Sequence, residues 1–212
     1  MTSRHQVATL VLMATGTLLL TACDGNRVAP GTPTPGTSTP AASSSAAGVP
    51  HSGAPAVQNP LPAKVLDGSP CDSALTAQQL ETFLGEPDPA KPSTDALGAA
   101  CRWNAASGSG AGFTVSYQTK SDQGISLAYQ SVKSKVARWV ELTPVDGYPA
   151  IGYGGNAPGD ERHCVVVVGV SDQLAYSVSL SRGDKAGREG KDSCELGRDV
   201  AAEVLKNVKG RA

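Results

Sequence analysis

The chain is poor in the residues from which most enzyme active sites are built. Its 212 residues include three histidines and two tryptophans, aromatic residues make up 4%, and the charges nearly cancel at a formal net −1. No basic stripe stands out, so nucleic acid is not an expected partner. The sequence also lacks a G-x-S-x-G elbow, an H-E-x-x-H pair, a P-loop and a G-x-G-x-x-G turn. These absences argue against several common hydrolase, metalloprotease and nucleotide-binding classes.

A long hydrophobic run is also missing. Residues 7–22, VATLVLMATGTLLLTA, form a charge-free stretch of 16 residues, whereas a helix needs about 20 apolar residues to cross a bilayer. The stretch follows Arg4 and ends in LTAC at 20–23, which is typical of a lipoprotein signal peptide. We expect cleavage between Ala22 and Cys23 and lipidation of the Cys23 thiol. A plain signal peptide and a short uncleaved anchor are the alternatives.

The predicted lipid fixes the expected location of the protein. Each buried CH₂ contributes about 0.8 kcal/mol, so two acyl chains on one cysteine form a lasting anchor. We therefore expect a lipid-anchored protein on the extracytoplasmic face of the cell membrane. Assigning Cys23 to the lipid leaves four of the five cysteines, an even number that suits disulfides in an oxidising compartment.

The composition divides the rest of the chain into two parts. Residues 23–70 are dominated by Pro, Ser, Thr, Gly and Ala, and such a segment buries too little apolar surface to offset its ordering entropy. It is predicted to be a disordered tether after a signal peptide at 1–22. Residues 71–212 carry 15 Lys and Arg against 17 Asp and Glu and suit one globular domain.

Periodicity within the domain predicts an α+β fold. Helices are expected over 75–85, with a capping box between Thr76 and Gln79, over 124–135, and after an N-cap at Asp192. The predicted strands are 101–105, 112–120, 139–145, 148–155, 163–170 and 173–181. Short links between successive strands predict an antiparallel sheet of about six strands, with the three helices packed mainly on one face.

The four remaining cysteines predict a braced domain. Four cysteines allow three pairings. We favour Cys71–Cys101 with Cys164–Cys194, because each bond closes a loop of about 30 residues and stabilises by roughly 3–4 kcal/mol through chain entropy. The main alternative pairs Cys71 with Cys194 and Cys101 with Cys164. The spacings are wide and no C-x-x-C occurs, so neither a metal nor another cofactor is expected.

Several motifs together resemble a known family. The lipobox, the tether and the sequences SPCDSALTAQQLETFLG, CRW and DSCELGRDVAAEVL resemble the actinobacterial lipoproteins grouped as domain of unknown function 3558. The likeness covers about 65–212. The matching residues are Pro70, Cys71, Leu75, Thr76, Cys101, Trp103 and Cys194. The resemblance implies a secreted, membrane-anchored protein of a high-GC Gram-positive bacterium, in a family without an established biochemical role.

The domain offers few candidates for catalysis. His163 is its one histidine and is interpreted as a strand-edge residue. The Gly-rich stretch 152–161 is predicted to be a loop, and its neighbouring carboxylates Asp160 and Glu161 lie on irregular chain that rarely directs two groups to one bond. The RGD at 182–184 is interpreted as a chance match. No catalytic residue is predicted.

We therefore expect a monomeric, non-enzymatic binding or interaction domain whose partner is an envelope protein or a small hydrophobic ligand. One alternative is a carrier that holds a lipid or small hydrophobic molecule between sheet and helices. Another is an envelope hydrolase that uses His163 with loop carboxylates. A ligand groove lined by aromatic residues is a further hypothesis, weakened by the core's need for them. Its candidates are Trp103, Tyr117, Trp139, Tyr148 and Tyr153.

Overall fold

Seven strands form one antiparallel sheet in the order β1-β2-β3-β7-β6-β5-β4. The computed structural model describes residues 48–154, 161–183 and 191–212. The strands are β1 (Lys91–Thr94), β2 (Ala99–Asn104), β3 (Ala111–Gln118), β4 (Arg138–Val145), β5 (Tyr148–Gly154), β6 (His163–Gly169) and β7 (Ala175–Arg182). The helices are α1 (Pro70–Ser73), α2 (Ala77–Leu84), α3 (Ser126–Ser131) and α4 (Ser193–Lys209), preceded by a 3-10 helix at Ala63–Leu66. The α+β class and the antiparallel sheet are confirmed.

The predicted signal peptide, the cleavage and lipidation sites at Ala22 and Cys23, and the tether up to residue 47 lie outside the described residues. Residues 48–70, also assigned to the tether, are packed on the domain. Val65 and Leu66 are 0% and 1% exposed, and the Arg211 guanidinium donates to the Val65 carbonyl at 3.0 Å. The packed domain thus begins before residue 71, because a few buried side chains in a Pro-rich segment leave no periodicity to detect.

Three helices cover one face of the sheet, called here the inner face. The apolar stripe of α4 packs there, with Val200, Val204 and Val208 at most 1% exposed. Asp192 caps this helix by accepting from the Cys194 and Glu195 amides. The predicted capping box of α2 is also confirmed, since both reciprocal bonds are present. Helices α1 and α2 complete the layer.

Four elements differ from the prediction. The 3-10 helix at Ala63–Leu66 and helix α1 were not expected. Strand β1 was not expected, because its four residues are all exposed and show no apolar alternation; the strand forms by backbone pairing with β2. Helix α3 is shorter than the predicted 124–135. Its C-cap is Val132, because the chain must turn before Arg138, where β4 begins to pair with Gly154 of β5. Helix α3 lies on the opposite face, called here the outer face.

The two favoured disulfides are confirmed. Cys71–Cys101 joins α1 to β2, and Cys164–Cys194 joins β6 to α4. Each bond therefore fixes a helix to the sheet. With a sequence separation of 30 residues, each constrains the unfolded chain by roughly 3–4 kcal/mol.

The two edge strands are poor templates for pairing with another sheet. Pro92 in β1 and Pro144 in β4 lack the amide hydrogen that a further strand would need. The Arg198 side chain also donates to the Thr143 and Pro144 carbonyls at 2.9 and 3.0 Å. Such features oppose edge-to-edge association.

A glycine lies beneath the second disulfide. A Cβ added to Gly152 would lie 3.0 Å from the Cys194 Sγ and 3.2 Å from the Cys164 Sγ. Since the disulfide has little room to move, Gly152→Ala is expected to lower the free energy of unfolding by about 1–3 kcal/mol, as overpacking does elsewhere. Chemical denaturation measures this change.

The control for this prediction places Gly152→Ala in a Cys164→Ala/Cys194→Ala background. There both sulfurs are absent, and the cost should fall by more than the roughly 0.5 kcal/mol within which independent substitutions add. An equal cost in both backgrounds would show that the disulfide is not the obstacle.

Candidate binding site on the outer face of the sheet

The outer face divides into an apolar half and a polar half. On β4, β5 and β6 its side chains include Trp139, Tyr153 and Val167, and α3 packs against this half. On β3 and β7 the side chains are short and polar, and Ser179 is exposed. The division follows from the sequences of β6 and β7. In AYSVSLSR of β7 the large residues face the inner core and the serines face outward, whereas the continuous valine run of β6 is apolar on both faces.

The apolar half carries an aromatic cluster, defined by Tyr129, Trp139 and Tyr153. The Trp139 ring centroid lies 5.1 Å from that of Tyr129, edge to face, and 6.3 Å from that of Tyr153, nearly parallel. The Lys133 ammonium lies 4.7 Å from the Tyr129 centroid and 5.2 Å from the Trp139 centroid. The ring faces nearest this ammonium are thus occupied by a cation of the same chain.

Glu141 joins the parts of this cluster. It accepts hydrogen bonds from the Tyr129 hydroxyl at 2.5 Å, the Trp139 indole at 2.9 Å and the Lys133 ammonium at 3.1 Å. Partial burial acts to raise the pKa of Glu141, but these three donors outweigh it and hold the pKa below its ordinary value. Burial, together with the bond to Glu141, raises the pKa of Tyr129. The ionised carboxylate therefore fastens α3 to β4.

The structure separates the five aromatic residues that were candidates for lining a ligand groove. Trp103, Tyr117 and Tyr148 are 2%, 0% and 6% exposed and belong to the inner core. Trp139 and Tyr153 are partly exposed, but they belong to the internally bonded cluster on the outer face. The five aromatic residues do not line one groove.

A groove of about 360 Å³ opens on the polar half. It is called here the Arg102–His163 groove, and its polar side chains are those of Arg102, Thr114, His163, Ser179 and Ser181. Arg102 is the cross-strand neighbour of Thr114, which neighbours Ser179, and His163 is the neighbour of Ser181. Four adjacent strands, β2, β3, β7 and β6, therefore build this site.

The groove is rich in hydrogen-bond donors, and its described lining residues include no acid. Arg102 donates from Nε to the Asn104 Oδ1 at 3.1 Å, and its two Nη groups have no hydrogen-bond partner within residues 48–154, 161–183 and 191–212. No carboxylate is among the lining residues that the structure describes. The arrangement of donors can bind an electron-rich group.

Two larger grooves beside α4 offer less for binding. In the groove of about 460 Å³ between α2 and α4, Gln79 donates to Glu203 and accepts from Asn207. In the groove of about 520 Å³ between β4 and α4, Lys191 pairs with Asp199 at 2.8 Å. These polar groups already have partners, so volume alone does not identify the site.

The remaining sequence candidates do not converge on one site. His163 begins β6 and is exposed, and Glu161 is also exposed. Residues 155–160 of the Gly-rich stretch, Asp160 included, and Asp184 of the RGD lie outside the described residues. Within the described part of the chain, no three His, Cys, Asp or Glu side chains are grouped to hold a metal.

Sequence reasoning missed Arg102, Thr114, Ser179 and Ser181 as site residues. The signal for the serines is the alternation in AYSVSLSR, which places hydroxyls on the face opposite Tyr176, Val178 and Leu180. The signal for Arg102 is its place between two core residues in CRW. Neither pattern shows that these positions lie side by side, because that depends on which strands pair.

The fold and the groove define a small α+β domain, braced by two disulfides, with an open polar sheet face. The family model described as "Protein of unknown function (DUF3558)" matches residues 18–207, so the chain belongs to this family. No curated protein and no solved structure matches the chain. None of the helices in the described ranges combines the length and apolar content that a membrane span requires.

The hydrogen bonds to Glu141 predict that protonation of its carboxylate lowers stability and shifts the Trp139 resonance. Because its pKa is lower in the folded chain than in the unfolded chain, its contribution to stability is fully present above about pH 4.3, the ordinary glutamate value. The contribution is lost as the pH falls through the folded-state pKa. In an NMR titration with pH, the Trp139 indole N–H resonance should shift with a midpoint below about pH 4.3.

Glu141→Gln is the control for this titration. The variant should lose the indole shift and should be less stable at pH 7, because Lys133 loses its ionic partner. The same titration in the variant would show that another carboxylate controls the Trp139 resonance.

Proposed function

We propose that the protein is a lipoprotein of the extracytoplasmic face of the cell membrane, and that its domain is a non-enzymatic binding module. In this proposal the signal peptide is cleaved after Ala22 and a lipid on Cys23 holds the chain to the membrane. The observation that carries the binding role is the Arg102–His163 groove, a set of donors on the uncovered half of a rigid sheet.

The geometry of the groove supports binding rather than hydrolysis. Ser181 is the cross-strand neighbour of His163, but its hydroxyl donates to the Gly110 carbonyl at 3.0 Å. A serine nucleophile must instead give its proton to a histidine, which a carboxylate orients. Within the described part of the chain, no carboxylate lines the groove.

The disulfides support both parts of the proposal. Both bonds form within the domain, as is common in oxidising compartments outside the cytoplasm. A sheet braced in this way keeps its surface side chains ordered before a ligand arrives, which reduces the entropy lost on binding.

The alternative role as a hydrophobic carrier gains no support from the inner face. A ligand held between sheet and helices would need space where Val166, Val178, Val200 and Val204 meet. These side chains are at most 1% exposed and fill that layer with one another.

In this proposal, residues 24–47 serve as the tether. Their length corresponds to a span of about 27 Å as a coil and at most about 75 Å as polyproline II. The domain would act alone, because Pro92 and Pro144 oppose sheet extension through either edge. A groove held at this distance can meet polymers of the surrounding envelope.

The anchor is tested with Cys23→Ser in full-length protein expressed in a bacterium that processes lipoproteins. The original chain should be in the membrane fraction with an intact mass that begins at Cys23 and includes a diacylglyceryl group. The variant should carry no acyl mass, because the thiol that accepts the lipid is gone.

The matched control for the anchor is Cys71→Ser/Cys101→Ser, which removes two other thiols. This variant should keep the acyl mass, since these cysteines pair with each other. An original chain without acyl mass would refute the lipid anchor.

The non-enzymatic role is tested with a panel of ester and peptide substrates. The full chain should show no turnover above the blank, because the described residues of the groove include no acid for a triad. Turnover that disappears in His163→Ala, with folding retained by circular dichroism, would establish the hydrolase instead.

A further inference from the structure

We propose that the Arg102–His163 groove binds an anionic polyhydroxyl chain, in which sugar or polyol units carry phosphate or carboxylate groups. The inference rests on the proposed function as a binding module and names the ligand class. Its basis is a preoriented arginine beside a row of hydroxyls, with no acid among the lining residues that the structure describes.

The charge of the groove is opposite to that of the domain. Residues 71–212 hold 17 acidic against 15 basic residues. Among the described lining residues, the groove nevertheless contains the guanidinium of Arg102 and no carboxylate. This local imbalance favours an anionic ligand and disfavours a metal cation, which requires acidic or other oxygen-rich ligands.

Arg102 is held ready to bind an anion through two oxygens. Its Nε donates to the Asn104 Oδ1 at 3.1 Å, which leaves the two Nη groups as a fork. A guanidinium fork binds carboxylate and phosphate oxygens in pairs, whereas a lysine ammonium acts as a point charge. Fixing Nε reduces the rotamer freedom that Arg102 loses when it binds.

A glycine makes room for this arrangement. A Cβ at Gly112, the cross-strand neighbour of Asn104, would lie 2.7 Å from the Asn104 Oδ1. Any larger residue at this position would displace the amide that orients Arg102. The missing side chain also lowers the floor of the groove between Asn104 and Ser181.

The hydroxyl groups specify a polar ligand. Thr114 and Ser179 lie on neighbouring strands about 4.8 Å apart, and Ser181 follows Ser179 on the same face. An apolar ligand would desolvate these groups without replacing their hydrogen bonds, which is unfavourable. A ligand with several hydroxyls replaces those bonds along the row.

The line of cross-strand neighbours that contains Thr114 and Ser179 continues onto apolar side chains of the outer face. Ser179 neighbours Val165, which neighbours Tyr153, and both are partly exposed. The carbon skeleton of a sugar or polyol can lie against these side chains while its anionic group lies at Arg102. A chain with both kinds of surface therefore fits the row better than an isolated phosphate ion.

The experiment measures binding of the full chain to three polymers by isothermal titration calorimetry. Poly(glycerol phosphate) supplies phosphates, polygalacturonate supplies carboxylates, and dextran is the neutral control. At least one anionic polymer should bind and dextran should not. Raising the salt concentration should weaken the binding, because the charges are solvent-exposed. The polymer that binds identifies which anion the groove accepts.

Two pairs of variants locate the binding. Ser179→Glu should weaken it at least about tenfold by placing a like charge in the groove, whereas Ser179→Gln, which removes the hydroxyl but adds no charge, should weaken it less. Arg102→Gln should also lose at least about tenfold. Lys206→Gln removes the same charge from an α4 side chain that is 76% exposed and should bind like the original chain.

Several outcomes would overturn the inference. These are no binding of either anionic polymer, equal binding of dextran, equal losses in Arg102→Gln and Lys206→Gln, or unchanged binding in both Ser179→Glu and Arg102→Gln. Melting temperatures confirm that each variant is folded. A chain that is lipidated at Cys23 and inactive on the substrate panel, but binds none of the polymers, would overturn this inference and leave the proposed function in place.

Discussion

The pairing of β3 with β7 is the constraint on which the rest of the structure depends. It joins the N-terminal strands β1–β3 to the C-terminal strands β4–β7 in continuous register from Ala111 opposite Arg182 to Gln118 opposite Ala175. Tyr117 and Tyr176 face each other across it, both 0% exposed. Their hydroxyls bond to α1 through Ser73 and to α4 through the Ala201 carbonyl, so the same pairing places helices from both halves.

The disulfides brace the two halves and do not cross between them. Cys71–Cys101 lies on the N-terminal side, and Cys164–Cys194 lies on the C-terminal side. The junction of β3 and β7 is therefore held by backbone hydrogen bonds and inner-face packing. Its register must be well specified, because a slip of one residue would exchange the core tyrosines with the outward serines. The strict alternation in β7 supplies that specification.

The candidate site lies across this junction. Arg102 and Thr114 come from the N-terminal strands, and Ser179 and His163 come from the C-terminal strands. Neither half contains a groove of this kind by itself. The apolar half of the outer face holds the internally bonded aromatic cluster, whereas the polar half holds the candidate site. In the aromatic cluster Glu141 accepts from three side chains, whereas the two Arg102 Nη groups have no hydrogen-bond partner among the described residues.

The sequence by itself determined the class of fold, six of the seven strands, the capped helices at Thr76 and Asp192 and the favoured cysteine pairs. These features follow from local periodicity, capping chemistry and loop length. Only the tertiary structure decided that β1 exists, that Val65 and Leu66 pack on the domain and that α3 covers the outer face. It alone brought Arg102 beside Thr114 and Ser179. Periodicity states which side chains of one strand share a face, but the neighbour of each strand depends on pairing between distant parts of the chain.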